Sequence, residues 1–468
     1  MAVVAFLTMG LVVSTSGASA QSSTDGHWVD LFAPPNNLDG GVSDIVWLGG
    51  DSIIVGGNFE TAGGVSANNV ALWTGSSWEA LGAGTNDEIR ALAIDSESVV
   101  YAGGFFSRAG GSPASAIARW DGAWHPLGEG VQDDDLRPSV WEITIDGSDV
   151  YVGGDFNRAG DSTAVGIARW DGSTWNGVGG GLSGHFGIDD RADDAYAITR
   201  HGGQLLVGGF FHVAGTDSIP WLASWSGDQW MPFGGIFDYA VEVILVADPL
   251  VYVGGAFNYI DTLKVNNIAA WDGSQWTPLG DGFASQSMWG SAVLDIAVDG
   301  DELYAVGGFD STGSTAVRNV AVWREGMWQA LGLGTNHSIG TVAVGQNYVY
   351  FGARGMVEVD SISSRGLIAW RKPGTTSVDE RRQSGTRLEL YPNPFLDETT
   401  IDLIAESPTE SSVDVIDVLG RTVLTLFRGW VSTGVNRFKL KGTDLAAGIY
   451  VIVVETPNGR TTAVAIHR

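Results

Sequence analysis

Three observations predict an all-β fold: a seven-bladed β-propeller whose N-terminal strand closes the last blade, followed by a small C-terminal β-sandwich. A Gly-Gly element recurs six times along the chain, with a degraded seventh copy. A Trp-bearing element follows each copy, and the unit repeats every ~45 to 55 residues, the period of propeller blades. The seventh copy lacks its final strand, and a matching strand lies near the start of the chain.

The first element reads VGGNF to Phe59, AGGFF to Phe106, VGGDF to Phe156, VGGFF to Phe211, VGGAF to Phe257 and VGGF to Phe309, with a degraded FGAR to Arg354. The second reads VALWTGSSW to Trp78, IARWDGAW to Trp124, IARWDGSTW to Trp175, LASWSGDQW to Trp230, IAAWDGSQW to Trp276 and VAVWREGMW to Trp328. The seventh copy, LIAW, stops at Trp370. Each unit parses into four short strands. EITID (Glu142–Asp146) precedes a turn, DVYVGGDF (Asp149–Phe156) follows, then GIARW (Gly166–Trp170), and an outer strand begins at Trp175. Asp171-Gly172 suits the tight turn between the last two strands, because glycine tolerates positive φ. HWVDLF (His27–Phe32) supplies the strand missing after Trp370, which would protect the sheet edges of an open ring. The propeller is therefore expected over residues 25–371. Six or eight blades are the alternatives, since the seventh copy is degraded.

Composition bounds the compartment. The chain has 468 residues, 67 of them Gly, and no Cys, which excludes disulfides, thiolate metal sites and cysteine nucleophiles. Val3–Val13 is apolar and Ala18-Ser19-Ala20 precedes Gln21, so residues 1–20 read as a secretory signal peptide, although the n-region carries no Lys or Arg. No other segment is suited to span a membrane. The net charge is −29, and residues 21–370, with 13 basic and 42 acidic side chains, hold all of it. Nucleic-acid binding is excluded, because a phosphate backbone requires clustered Lys and Arg. Scarce Lys with abundant Asp suits either a saline habitat, where salt screens carboxylate repulsion, or a generally acidic secreted protein.

The blade resembles the kelch type: Gly-Gly late in the second strand, an aromatic in the third and Trp-x-x-Leu-Gly in the fourth. VGGxF…IARWDGSxWxxLG is similar to the repeats of Rax2-like cortical marker proteins and their relatives in bacterial surface proteins. The resemblance implies the fold, and only loosely a scaffold or binding role.

After Trp370, residues 372–386 read as a polar linker with Pro and Gly. Residues 387–468 resemble the type A sorting domain of the type IX secretion system, on LELYPNPF (Leu388–Phe395), SVDVIDVLGRTV (Ser412–Val423), Gly434, LAAGIYVIVVE (Leu445–Glu455) and TTAVAIHR (Thr461–Arg468). The motif positions are Tyr391, Pro392, Asn393, Pro394, Gly420, Arg421, Gly448 and Tyr450. The resemblance implies passage across the outer membrane by the type IX machinery, removal of the domain near the linker, and anchoring to surface lipopolysaccharide.

No catalytic signature stands out. GxSxG, HExxH, Walker and EF-hand spacings are absent, and His27, His125, His185, His201, His212, His337 and His467 are scattered without ligand spacing. The Gly-Gly pairs are read as close-packing positions between blades. The most irregular segments are insertions between an outer strand and the next inner strand, expected on one face of the ring: Val131–Trp141, Leu182–Tyr196 and Phe283–Ser291. They carry Trp141 and Trp289, and the loop DSIPW on the same face carries Trp221. Asp133, Asp134, Asp135, Asp189, Asp190, Asp193 and Asp194 lie in the same insertions. Exposed indoles suit sugar stacking, and clustered carboxylates suit Ca2+ or a glycosidase acid and base. The opposing reading makes the tryptophans core caps and the aspartates solvated loop residues. A secreted surface binding, adhesion or structural module without chemistry is favoured over a carbohydrate-binding protein, and both over a polysaccharide hydrolase or lyase.

Overall fold

A computed structural model describes residues 26–134, 137–184, 194–287, 290–373, 386–393, 395–417, 421–457 and 459–467. The expected signal peptide, and residues 374–385 of the expected linker, lie outside the described residues.

Between His27 and Arg371 the described residues form seven four-stranded antiparallel sheets, each a repeat unit. The first runs Gly41–Gly49, Ser52–Asn58, Val70–Trp73 and Trp78–Ala80. The innermost strands of successive sheets pack side by side: Gly41–Gly49, Ile89–Ile94, Ser139–Asp146, Asp194–His201, Val241–Ala247, Ala292–Asp299 and Thr341–Val344. The last of these packs against the first, which closes the ring of a β-propeller. The outer strand of the seventh sheet is His27–Val29, paired with Ile362–Arg371 so that Trp28 faces Trp370.

The repeated residues explain why each unit takes this form. In every sheet a third-strand Trp meets the outer-strand Trp, as in Trp73–Trp78 with ring centroids 5.2 Å apart and Trp170–Trp175 at 5.4 Å. Trp28 and Trp370 make the same pair across the chain termini of the ring, at 5.2 Å. The outer indole also reaches the preceding sheet. Its Nε1–H donates to a backbone carbonyl there: Trp78 to Asn36 at 2.8 Å, Trp124 to Leu81 at 2.7 Å, Trp175 to Leu127 at 2.8 Å, Trp230 to Gly179 at 2.9 Å, Trp276 to Gly234 at 3.0 Å, Trp328 to Leu279 at 2.9 Å and Trp28 to Leu331 at 3.2 Å. Each such bond contributes ~1 kcal/mol and fixes neighbouring sheets in register.

The Gly-Gly element serves the same contact closer to the axis. A Cβ on Gly56 would sit 2.6 Å from Ile89 Cγ2 of the next sheet, and one on Gly254 would sit 2.6 Å from Val293 Cγ1. Bare backbone at these positions lets adjoining blades approach, while the following Phe (Phe59, Phe106, Phe156, Phe211, Phe257 and Phe309) is buried between them. The interior is thus a series of apolar clusters lying between blades.

The C-terminal residues form two further sheets. One is three-stranded (Thr386–Tyr391, Glu398–Ala405, Gly434–Lys441) and the other four-stranded (Thr422–Val431, Thr409–Asp417, Gly448–Thr456, Gly459–His467). Alternate residues of both, including Ile401, Leu403, Val413, Val415, Ile452 and Val454, fill the core of a small sandwich.

Candidate functional site

The innermost strands build the site. In six of them the pairing register slips once near the start, leaving a β-bulge at Ser43, Arg90, Trp141, Tyr196, Glu242 and Leu294. A bulge re-aims side chains, so that consecutive residues turn toward the same side of the strand. Here both the bulged residue and, in most sheets, its successor line an axial cavity of about 350 Å³. The liners include Ser43, Asp44, Arg90, Trp141, Glu142, Tyr196, Glu242, Leu294, Asp295 and Thr341. These bulge positions hold a different residue in every blade, whereas the Trp, Gly and Phe positions behind them scarcely vary.

Three acids dominate the cavity. Asp44 accepts backbone N–H bonds from Ile45 at 2.7 Å and from Leu92 of the next sheet at 2.6 Å. Asp295 accepts from Ile296 at 2.8 Å and from Val342 of the seventh sheet at 2.8 Å. Both carboxyls therefore tie neighbouring blades together. Enclosure by protein is the main cause that raises their pKa values, to about 6 for Asp44 and about 7 for Asp295, against the lowering effect of those bonds. Enclosure raises Glu142 well above the usual range, and the charges of Asp44 and Asp295 add to the effect. All three are half-buried, because they are hemmed in by the ring but face its channel.

One side of the channel is aromatic and cationic. The Arg90 guanidinium lies 4.8 Å from the Trp141 ring and 5.1 Å from Phe105, and its Nε is 2.9 Å from Glu88 Oε1. Trp141 packs edge-on to Phe105 at 5.5 Å and to Tyr196 at 6.2 Å. Ser43 Oγ donates to Glu88 at 2.9 Å. Arg90 Nη1 and Trp141 Nε1 are buried without hydrogen-bond partners among the described residues.

Of the expected site residues, Trp141, Trp221, Asp133, Asp134 and Asp194 are described. Trp141 is a half-buried residue of the third sheet's innermost strand and faces the channel. Trp221 is 6% exposed and so presents no open indole. It stacks on Tyr239 at 5.3 Å and packs on Phe210 and His212. Its φ of 67° is unusual for a bulky residue. The matching positions of other blades hold Asn69, Ala116, Gly166, Asn267 and Asn319, also at positive φ. Asp133 and Asp134 follow the short strand Val131–Gln132, and Asp134 is 3.6 Å from Arg158. Asp194 opens an innermost strand opposite Phe210. Trp289, Asp135, Asp189, Asp190 and Asp193 lie outside the described residues. Among the described residues no group of three or more acidic or histidine side chains is placed to hold a metal ion, so no Ca2+ chemistry is derived.

The sorting-motif residues are structural supports within the C-terminal sandwich. Tyr391 donates to Asp402 at 2.7 Å, and Arg437 pairs with both. The Tyr391–Pro392 peptide is cis. Asn393 Oδ1 accepts the Ile466 N–H at 2.8 Å, Tyr450 OH donates to Ala446 at 3.0 Å, and Arg421 pairs with Asp417 at 2.6 Å. Gly448 lies beside Glu97 and Ser98 of the propeller, where Arg421 also donates to the Ser96 carbonyl. Pro394 and Gly420 lie outside the described residues.

The chain is a β-propeller with an appended sandwich, and comparison identifies that appendage. Residues 389–467 match the secretion system C-terminal sorting domain family. The tail indicates export through the type IX system to the cell surface or medium, and interaction with that machinery. Among the described residues no helix is long and apolar enough to cross a membrane. No curated protein matches the chain. Among solved structures, the chain is similar to "YCF48 bound to D1 peptide" at 13% identity and a TM-score of 0.43, covering 75% of this chain and 97% of that one. A likeness at that score carries no argument here, and the fold assignment rests on the sheets of the chain itself.

Proposed function

We propose that the chain is an exported surface binding module and that its binding face is the mouth of the axial channel. One observation carries this reading. Across the repeats the residues that hold the blades together are nearly constant, whereas the bulge positions run Ser43, Arg90, Trp141, Tyr196, Glu242 and Leu294. Side chains that only filled a repeated core would repeat; a varied ring of polar, charged and aromatic groups suits a specific ligand. The Tyr196 phenol and the carboxyls suit the hydroxyls of a carbohydrate. The bonds from Asp44 and Asp295 to backbone N–H groups support a structural role for those acids over acid–base catalysis. Export by the type IX route is consistent with a surface location, and an anchor on lipopolysaccharide after removal of the tail belongs to this proposal.

The test is a glycan-array screen of the purified full-length protein, with and without Ca2+. Binding to a defined glycan class supports the reading. A blank array in both conditions removes carbohydrate from it and leaves a protein-binding or structural propeller.

A further inference from the structure

A second cavity, of about 360 Å³, opens beside the channel mouth between the seventh, first and second sheets and shares Ser43 and Arg90 with it. Its charge is opposite to that of the protein. Arg90, Arg354 and Arg365 line it, opposed by the single carboxylate of Glu88. Residues 21–370 hold only 13 basic side chains, so three around one cavity is a concentration. Arg119, Arg137, Arg158, Arg169, Arg200 and Arg324 each have a carboxylate partner. Arg354 makes no hydrogen bond or close ion pair among the described residues, although its charge acts on Glu88, and Arg365 donates to the Asp39 carbonyl, at 2.8 Å. Arg90 is held between Trp141 and Phe105 and is 11% exposed, so one wall of the cavity is fixed in place.

We propose that this cavity takes the carboxylate of an acidic sugar, a uronate unit of an extracellular polysaccharide. The proposal rests on the channel mouth being the binding face. Guanidinium forks match a carboxylate in two-point geometry, and low local dielectric strengthens the pair. The remaining lining is polar or bare: Ser43 and Asn58 offer hydrogen bonds, and Gly40, Gly41 and Gly355 expose backbone. The Phe105 and Trp141 faces are already occupied by arginine, and Met356 is the one apolar side chain among the liners. A compact hydroxylated ring with one negative charge suits such a surface better than a peptide, which needs apolar subsites.

Calorimetric titration of the full-length protein with trigalacturonate tests this, with galactotriose, a sulfated trisaccharide and a short peptide in free-acid and amide forms as comparisons. Trigalacturonate should bind and galactotriose should not. R354Q and R365Q, at exposed positions, should each weaken binding about tenfold or more with melting unchanged, and added salt should weaken it further. The proposal is overturned if trigalacturonate does not bind, if both variants bind it as the native chain does, or if the sulfated sugar or the peptide acid binds more tightly. Binding of a neutral glycan that is lost in Y196A but kept in R354Q would overturn this proposal and leave the channel reading standing. Loss of all glycan binding would overturn both.

Discussion

At the scale of residues, the outer-strand indoles carry a measurable share of the stability. Trp175→Phe removes the Nε1–H bond to Leu127 and part of the buried ring that packs on Trp170. It should lower stability by about 1 kcal/mol for the bond and by more for the cavity left by the smaller ring, as read by a lower melting temperature with an unchanged far-UV circular-dichroism spectrum. The recurrence of these tryptophans was plain in the sequence, but the hydrogen bond was not, because its acceptor is a backbone carbonyl 42 to 51 residues upstream in six blades and, for Trp28, 303 residues downstream. The channel acids make a second prediction. Their folded pKa values lie above the unfolded ones, so the folded state binds more protons from about pH 4 to pH 7. Stability should therefore fall as pH rises through that window. Asp171 and Asp272, held low by turn hydrogen bonds, act below it with the opposite sign. Glu142→Gln removes one of these raised groups and should flatten the fall in melting temperature between pH 5 and pH 8 at constant ionic strength.

At the scale of elements, the strand His27–Val29 belongs to a sheet made from the other end of the ring. The missing strand after Trp370 made this legible, because an unpaired edge is a liability that a propeller avoids. Replacing residues 27–32 with a Gly/Ser segment removes Trp28 from its contacts with Trp370 and Phe351 and from its bond to Leu331. It should give a protein that melts at lower temperature and over a broader range, and that associates through the exposed edge, as scattering will show. The innermost strands were harder to read. Period-two alternation assigns one face to solvent and one to the core, and a bulge breaks that alternation at the position that meets the channel. The sequence pattern therefore does not single out Asp44, Arg90, Glu142, Tyr196, Glu242 and Asp295, although the bulge residues themselves differ from one repeat to the next. The tryptophans of longer loops stand out instead. Of these Trp141 does reach the channel, but as a strand residue. Trp221 takes a left-handed position that Asn, Ala or Gly fills elsewhere, and is buried.

At the scale of the whole molecule, two kinds of information are separated. The repeat fixes a ring through nearly constant Trp, Gly and Phe, and the ring holds varied side chains at its axis. Residues 371–468, which include the sorting tail that carries the address, are balanced in charge, whereas residues 21–370 carry the entire net charge of −29. Repulsion among those acids keeps the exported ring soluble and gives its few unpaired arginines their contrast. The central claim is that the varied axial residues, and not the repeated scaffold, bind the ligand. The direct measurement is one glycan array run on the native full-length protein and on Y196A/E242A, with melting temperature measured on both. The account predicts a glycan signal that the variant loses while its melting temperature stays within a few degrees. An identical signal from both proteins would contradict it and move the binding site away from the channel.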